Sequence, residues 1–364
     1  MDDPALRRTL LQWYDAHRRD LPWRRTHNPY AVLVSEAMLQ QTRVETVLPY
    51  YERWMERLPT VAALAAADED DALALWSGLG YYRRARNLHA AARTVMTEHA
   101  GHLPRTAEGL LELPGVGPYT AAAVASIAFG EPVAAVDGNV VRVLARLDAV
   151  RGDVARPATR RRLERRAQRL LDPRRPGDWN QAVMDLGATV CTPRRPRCKE
   201  CPLRTACKAA AAGIAQRIPE SAARKPAPTV HVAFAAVAER GRILMVRESE
   251  GGLLRGLWRL PGGAQGGSLA AAVREQTGLR VRVAPRGIAL EHAFSHRIWL
   301  MKVHRARVLA GPAQPARPAP GAAWVPLVEL HRRPLSTAMR RALGAAGFEV
   351  PERRAKGRPP LGEP

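Results

Sequence analysis

A chain of 364 residues, 46% of them hydrophobic, is long enough for about two or three domains, and no apolar run in it is long enough to span a bilayer. The opening MDDPALRRTL is polar and carries no secretory signal, so a cytoplasmic, nucleoid-associated protein of bacterial type is expected, with no membrane partner. The net charge of +23 suits a polyanion, because Arg and Lys release condensed counterions when they meet phosphates; a GC-rich coding sequence would also leave nearly all the basic residues as Arg.

From residue 29 to residue 58 apolar side chains recur at helical spacing. The same pattern returns over 62–76, 85–99, 106–113, 120–129, 139–147 and 159–171. These lengths predict an all-α region of short helices through residue 215. QRIPESAARKPAPT (216–229) reads as a linker, rich in Pro and charge. VHVAFAAVAERGRILMVRE then carries two strand-like runs around a turn. A helix over 268–277 and strands over 279–283 and 298–308 follow, so residues 230–345 are expected to be α+β. The Pro-rich stretch 310–320 reads as a loop or insertion, and 346–364 as a disordered tail.

Within the helical region, LPGVGPYTAAAVASIAFG puts a tight Gly115-Val116-Gly117 turn between two helical stretches. Glycines let a backbone bend sharply and come close to another chain, and amides at a helix start can hold a phosphate oxygen. Such a turn also suits an ordinary helix connection. Next comes AVDGNVVRVLARL, in which Asp137 opens a helix; it suits an N-cap, a role that leaves catalysis open. Glu36 sits on an otherwise apolar helix face, where a lone Glu is by default a surface residue.

The chain has four Cys, and all lie in one C-x6-C-x2-C-x5-C run: Cys191, Cys198, Cys201 and Cys207. Such clustering argues for metal rather than a disulfide framework. Structural zinc usually takes two close pairs, and here only Cys198 and Cys201 are close, so a [4Fe-4S] cluster is the better match. Arg194, Arg195, Arg197, Lys199 and Arg204 make the same loop basic.

Taken in order, LPWRRTHNPYAVLVSEAMLQQTRVETVLPYY, GLGYYRRARNL, LPGVGPYTAAAV, VDGNVVRVLAR and the four Cys resemble the MutY-type adenine DNA glycosylases, of the endonuclease III and helix-hairpin-helix superfamily. The resemblance is strong over about residues 5–215 and weaker over 230–305. It implies a six-helix domain near 29–136, a cluster domain built from 1–28 and 137–215, and a Nudix-like C-terminal domain that reads 8-oxoguanine. It assigns Glu36 as general acid and Asp137 as second carboxylate. Tyr119 and Asn139 would line the adenine pocket. Gln41 and Tyr81 would wedge into the duplex, with Thr42 and the Gly115-Val116-Gly117 turn on the DNA. The implied partner is duplex DNA with adenine opposite 8-oxoguanine or guanine, bound by a monomer.

The chemistry asks for those residue types. Breaking the N-glycosidic bond builds positive charge on the sugar and negative charge on the leaving base. One protonated carboxyl can deliver a proton to adenine N7, and one carboxylate can stabilise an oxocarbenium-like sugar. The base must first leave the stack. Bifunctional relatives carry a nucleophilic Lys where this chain has Tyr119, and no Lys precedes Lys199, so a monofunctional enzyme without efficient lyase action is expected.

In the C-terminal half, GLLRGLWRLPGG resembles the start of the same family's Nudix-like domain. Its AVREQTGLRV keeps Arg274 and Glu275 but lacks the acidic set that holds divalent metal, so nucleotide hydrolysis is not expected. AFSHRIW matches the loop that meets 8-oxoguanine, assigning Phe294, Ser295 and His296; an ordinary strand end with a core Phe is the alternative. Two other functions compete: a lyase-active pyrimidine glycosylase, and a noncatalytic iron–sulfur DNA-binding or redox protein. Tyr119 opposes the first; Glu36 together with Asp137 opposes the second.

Overall fold

The computed structural model describes residues 3–220, 226–248, 254–264, 266–294, 296–309 and 317–350. The chain divides into two compact units, Met1–Ala66 with Asn87–Arg224, and Ala67–Arg86 with Lys225–Pro364. Among the described residues no helix is long and apolar enough to cross a membrane.

The first unit is helical. It opens with α1 (Asp3–His17), α2 (Pro29–Leu39), α3 (Val44–Arg57) and α4 (Val61–Ala66). The periodic run 29–58 is therefore two helices, broken where Gln41 takes a left-handed φ of 58°. Asn28 starts α2: its side-chain oxygen accepts from the Tyr30 and Ala31 amides, and Pro29 fills the first position, where a missing N–H costs nothing. Tyr30 through Met38 are all buried, as an apolar sequence without a polar face requires.

The run 62–76 also splits. Asp68 turns extended, and α5 (Glu69–Trp76), which belongs to the second unit, begins with three acidic residues at the positive end of its dipole. Helix α6 (Arg83–Glu98) starts in the second unit and runs on into the first. Then follow α7 (Ala107–Leu111), α8 (Pro118–Phe129), α9 (Gly138–Leu147), α10 (Pro157–Leu170), α11 (Pro176–Asp185) and the short α12 (Lys208–Ala211). Alanines 121, 122, 123 and 125 of α8 are buried, and α8 packs on α2, where small side chains let two helices approach closely. A separate core joins Leu6, Leu10 and Tyr14 of α1 to Leu144, Leu163, Trp179 and Val183, so the N-terminal helix packs with segments far along the chain.

The second unit holds a seven-stranded mixed sheet with β1 (Thr229–Glu239), β2 (Arg242–Arg247), β3 (Trp258–Arg259), β4 (Gly262–Ala264), β5 (Val281–Ala293), β6 (Ile298–Val308) and β7 (Ala322–Pro326). The path runs β3-β2-β1-β6-β5, with β4 on β1 and β7 on β2; among the described strands β1 and β6 pair parallel and the other pairs are antiparallel. Arg240 and Gly241 are both left-handed, as a two-residue hairpin between β1 and β2 demands. Side chains alternate across β1. Val232, Phe234 and Ala236 enter a core capped by α14 (Thr337–Ala345), while Ala235 and Val237 enter another beneath α13 (Leu269–Thr277). Phe348 and Val350 pack on the first of these cores, and the rest of the expected tail, like 310–316 of the Pro-rich stretch, lies outside the described residues.

Candidate active site

Helix α2 carries Glu36 on its buried length, α8 carries Tyr119 in its first turn, and Asp137 caps α9. Three segments distant in sequence thus place their chemistry in one cavity of about 720 Å³. Glu36 is 6% exposed, and the Tyr119 hydroxyl donates to its Oε2 at 2.7 Å. Burial pushes the Glu36 carboxyl up to about 7; the Tyr119 hydrogen bond opposes this, the nearby Asp137 charge adds to it, and Arg24 opposes it. Around neutral pH a substantial fraction of Glu36 therefore carries a proton.

Asp137 is set differently. Its Oδ1 accepts from the Val140 amide at 2.7 Å and its Oδ2 from Asn139 Nδ2 at 2.8 Å. Burial raises its pKa, while these bonds and the Arg142 charge pull the other way. The cap and the carboxylate beside Glu36 are one residue, so the two readings of Asp137 coexist. The pair divides as an acid and a base would: Glu36 receives one donor, Asp137 several.

Asn139 is fixed in turn. Its Oδ1 accepts from Arg142 Nη2 at 2.8 Å, and Arg142 also donates to the Gly187 and Cys191 carbonyls. Gly187 sits in a π-helical turn, Leu186–Val190, and a Cβ there would lie 2.7 Å from that of Asn139. Only glycine lets the turn approach so closely.

Gln41 and Thr42 line the same cavity. Gln41 is exposed and left-handed, and in the second unit Tyr81 repeats the pattern, 41% exposed with φ 50°. Left-handed backbone is uncommon outside glycine and tends to mark functional positions. In the α7–α8 turn Gly115 has φ 74°, and a Cβ would fall 2.1 Å from Asn87 Nδ2. Gly115 is exposed, Val116 is half-buried, and Gly117 caps α8. In the second unit Phe294 stands edge-on to His292 and Trp299, half-buried at the end of β5, while His296 is exposed. Ser295 lies outside the described residues.

The four cysteines, none of them in a disulfide, line a second, small cavity of the first unit together with Arg146. Arg146 Nη1 donates to Cys191 Sγ at 3.2 Å. Burial pushes the Cys201 thiol up to about 11; the Leu203 amide opposes this and the other three cysteines add to it. Among the described residues no three His, Cys, Asp or Glu side chains are drawn together as they would be around a single ion. The donor set, four thiols lining one cavity beside a guanidinium, fits an iron–sulfur cluster in its chemistry.

Sequence reasoning missed the ion cluster that Arg19 and Arg24, two residues lining the cavity, form with the buried Asp185. Arg24 and Arg19 both clamp Asp185, with contacts of 2.5 and 2.6 Å, and Asp185 is 1% exposed. Burial raises the Asp185 carboxyl, but bonds and charge from Arg24 and Arg19 outweigh it and hold its pKa low. The available signal was a lone Asp in the apolar run AVMDLGATV, which demands a cation from elsewhere. Gln40, whose Nε2 donates to Thr120 Oγ1 at 3.1 Å, Gln181 and Met184 also line the cavity and were not singled out.

The HhH-GPD superfamily base excision DNA repair protein model matches residues 34–172, and the NUDIX domain model matches 232–345. A protein of Rattus norvegicus named adenine DNA glycosylase is 38% identical over 416 residues, covering 98% of this chain and 80% of its own length. One of the same name from Mycolicibacterium smegmatis is 48% identical over 195 residues, covering 53% of this chain and 66% of its own. Among solved structures, a thermostable thymine-DNA glycosylase superposes with a TM-score of 0.53 at 31% identity, over 58% of this chain and 97% of its own.

Proposed function

The chain belongs to the adenine DNA glycosylases, enzymes of base excision repair that hydrolyse N-glycosidic bonds, and from that premise we propose that it removes adenine paired with 8-oxoguanine or guanine, without lyase action, after flipping the base from the duplex. The observation that carries the reading is the Tyr119–Glu36 hydrogen bond beside Asp137 in one cavity.

Tyr119 donates to one Glu36 oxygen, which leaves the other to hold the acid proton. That proton goes to adenine N7 as the glycosidic bond breaks, so the base departs neutral. Asp137, held as an acceptor by Val140 and Asn139, faces the positive charge growing on the sugar. Water then adds to the sugar and gives up a proton, which restores the acid form of Glu36, and an abasic site is left. Tyr119 offers a phenol where lyases need an amine, and it is already committed to Glu36.

The test is a panel of duplexes with adenine opposite 8-oxoguanine, guanine or thymine, and with oxidised pyrimidines. Adenine should be released from the first two, and the strand should stay intact until alkali is added. Faster release of an oxidised pyrimidine, or efficient borohydride trapping of the protein on DNA, would sink the proposal.

The four cysteines would hold a [4Fe-4S] cluster that shapes the basic loop of Arg194, Arg195, Arg197, Lys199 and Arg204. Purified protein is then brown with about four iron atoms per chain. Cys198→Ser loses the iron. One zinc and no iron, after growth with ample iron, contradicts the assignment. On the C-terminal side, Phe294, Ser295 and His296 would meet the 8-oxoguanine base. Phe294 also packs on Trp299, so substituting it would loosen the core as well as remove the contact.

A further inference from the structure

The second unit contains one helix and turn from early in the chain, Ala67–Arg86, alongside Lys225–Pro364. Its joint is polar, buried and specific. Ser77 Oγ donates to the Leu335 carbonyl at 2.7 Å, and Tyr82 Oη donates to the same oxygen at 2.9 Å. Arg340 Nη2 donates to Ser77 Oγ at 3.2 Å, and the Gly78 amide donates to Tyr82 Oη at 3.1 Å. Ser77, Tyr82 and Leu335 are all buried. Further along, Arg86 Nη1 donates to the Arg255 carbonyl at 2.6 Å, and Arg247 pairs with Asp70 at 2.5 Å.

Between Ser77 and Tyr82 the backbone is unusual. Gly78, Gly80 and Tyr81 have φ of 111°, 73° and 50°. Left-handed φ at Tyr81 is uncommon for a side chain of its size, and strain of this kind persists only where surrounding bonds over-determine it. Those bonds are present. Trp76 Nε1 and Arg84 Nη2 both donate to the Gly80 carbonyl, at 3.0 and 3.1 Å, and the Arg84 guanidinium lies 5.2 Å from the Trp76 ring centre and 5.4 Å from that of Tyr81. The outer anchor of the turn, however, is the Leu335 carbonyl, 258 residues away at the entry to α14. The result is an aromatic ring left 41% exposed on a turn whose two ends are bonded to the Nudix-like domain.

We propose that Ser77 and Tyr82 are positioning residues through which the Nudix-like domain holds the Gly78–Tyr81 turn, so that Tyr81 is presented to the duplex by the domain that faces the 8-oxoguanine base. This rests on the reading of Tyr81 as a duplex wedge. Specificity for the base opposite adenine then has two routes from one domain: direct contact, and the placing of a stacking ring. Removing the Leu335 bonds frees the turn to relax to ordinary φ, and the ring loses its place without any change in the cavity that holds Glu36.

The test is a mutant cycle on full-length protein. Affinity for an uncleaved A:8-oxoguanine analogue duplex is measured at one salt concentration, with single-turnover excision at saturating enzyme beside it. Tyr81→Ala is expected to weaken binding about tenfold or more, the order of one lost base stack. Ser77→Ala with Tyr82→Phe should weaken it comparably, although neither side chain is exposed. Adding Tyr81→Ala to that pair should cost little more, since the ring is already misplaced. Excision from saturated complexes should fall far less than binding does.

Full additivity of the three changes, or unchanged binding in the Ser77→Ala, Tyr82→Phe protein, overturns the inference. If Tyr81→Ala itself leaves binding unchanged, it is the wedge reading that fails, and the two failures are told apart. Should the double variant not fold, Tyr82→Phe alone keeps the ring and removes one bond to Leu335, and a binding loss of less than about twofold there, with Tyr81→Ala effective, also overturns it.

Discussion

Glu36→Gln is expected to lower single-turnover adenine excision by at least ~10²-fold while leaving duplex binding nearly intact. The substitution preserves shape and still accepts from Tyr119, but an amide has no acid proton to give to the base. The size follows from the site. Burial holds the Glu36 pKa at about 7, so the native acid is well populated around neutral pH. Tyr119, the nearest hydroxyl, is pushed well above its usual range chiefly by burial, which the Gln variant keeps, so it is a poor proton donor to adenine. Near-normal excision by Glu36→Gln contradicts the assignment of the acid.

The second large effect is on stability. Asp185→Ala strips the carboxylate from between Arg24 and Arg19 and leaves a buried guanidinium without its charge partner. Breaking a buried pair from one side costs about 3–5 kcal/mol, well above the value of a surface pair. The signature has a pH direction. The folded pKa of Asp185 is depressed, so the stability it contributes is present above the unfolded carboxylate pKa of about 4 and is lost as the pH falls through the folded value. Chemical denaturation should therefore show a large gap between wild type and variant at neutral pH, closing below about pH 4. A loss under about 1 kcal/mol at neutral pH means that the cluster is relaxed by solvent and contributes little to stability.

These two residues mark what the sequence could and could not disclose. Glu36, Asp137 and the four cysteines stand in short, ordered motifs, so their types and spacing could be read before any fold was known. Helices α8 and α9 were legible for the same local reasons, a Pro at the first turn and an Asp cap. The Asp185 cluster was not, because Arg24 lies 161 residues away and neither residue signals the other. The grouping of Ala67–Arg86 with the C-terminal half was equally hidden: its helix pattern is ordinary, and its bonds are to the backbone of Leu335, which no side-chain pattern encodes. Strand β7 and helix α14 went unread because Ala and Arg dominate the segment and blur both periods. The breaks at Gln41 and Asp68 were missed because backbone turns there interrupt an apolar pattern that itself continues.

The central claim is that a buried, protonated Glu36 drives adenine release, and the most direct measurement is the pH profile of single-turnover excision from an A:8-oxoguanine duplex at saturating enzyme. The acid form of a group with a raised pKa prevails below that pKa and disappears above it. The rate should therefore be roughly level up to about pH 7 and then fall by about tenfold per unit, with the residual activity of Glu36→Gln lacking that break. A wild-type rate that stays flat from about pH 6 to pH 9, or that rises across that range, contradicts the account.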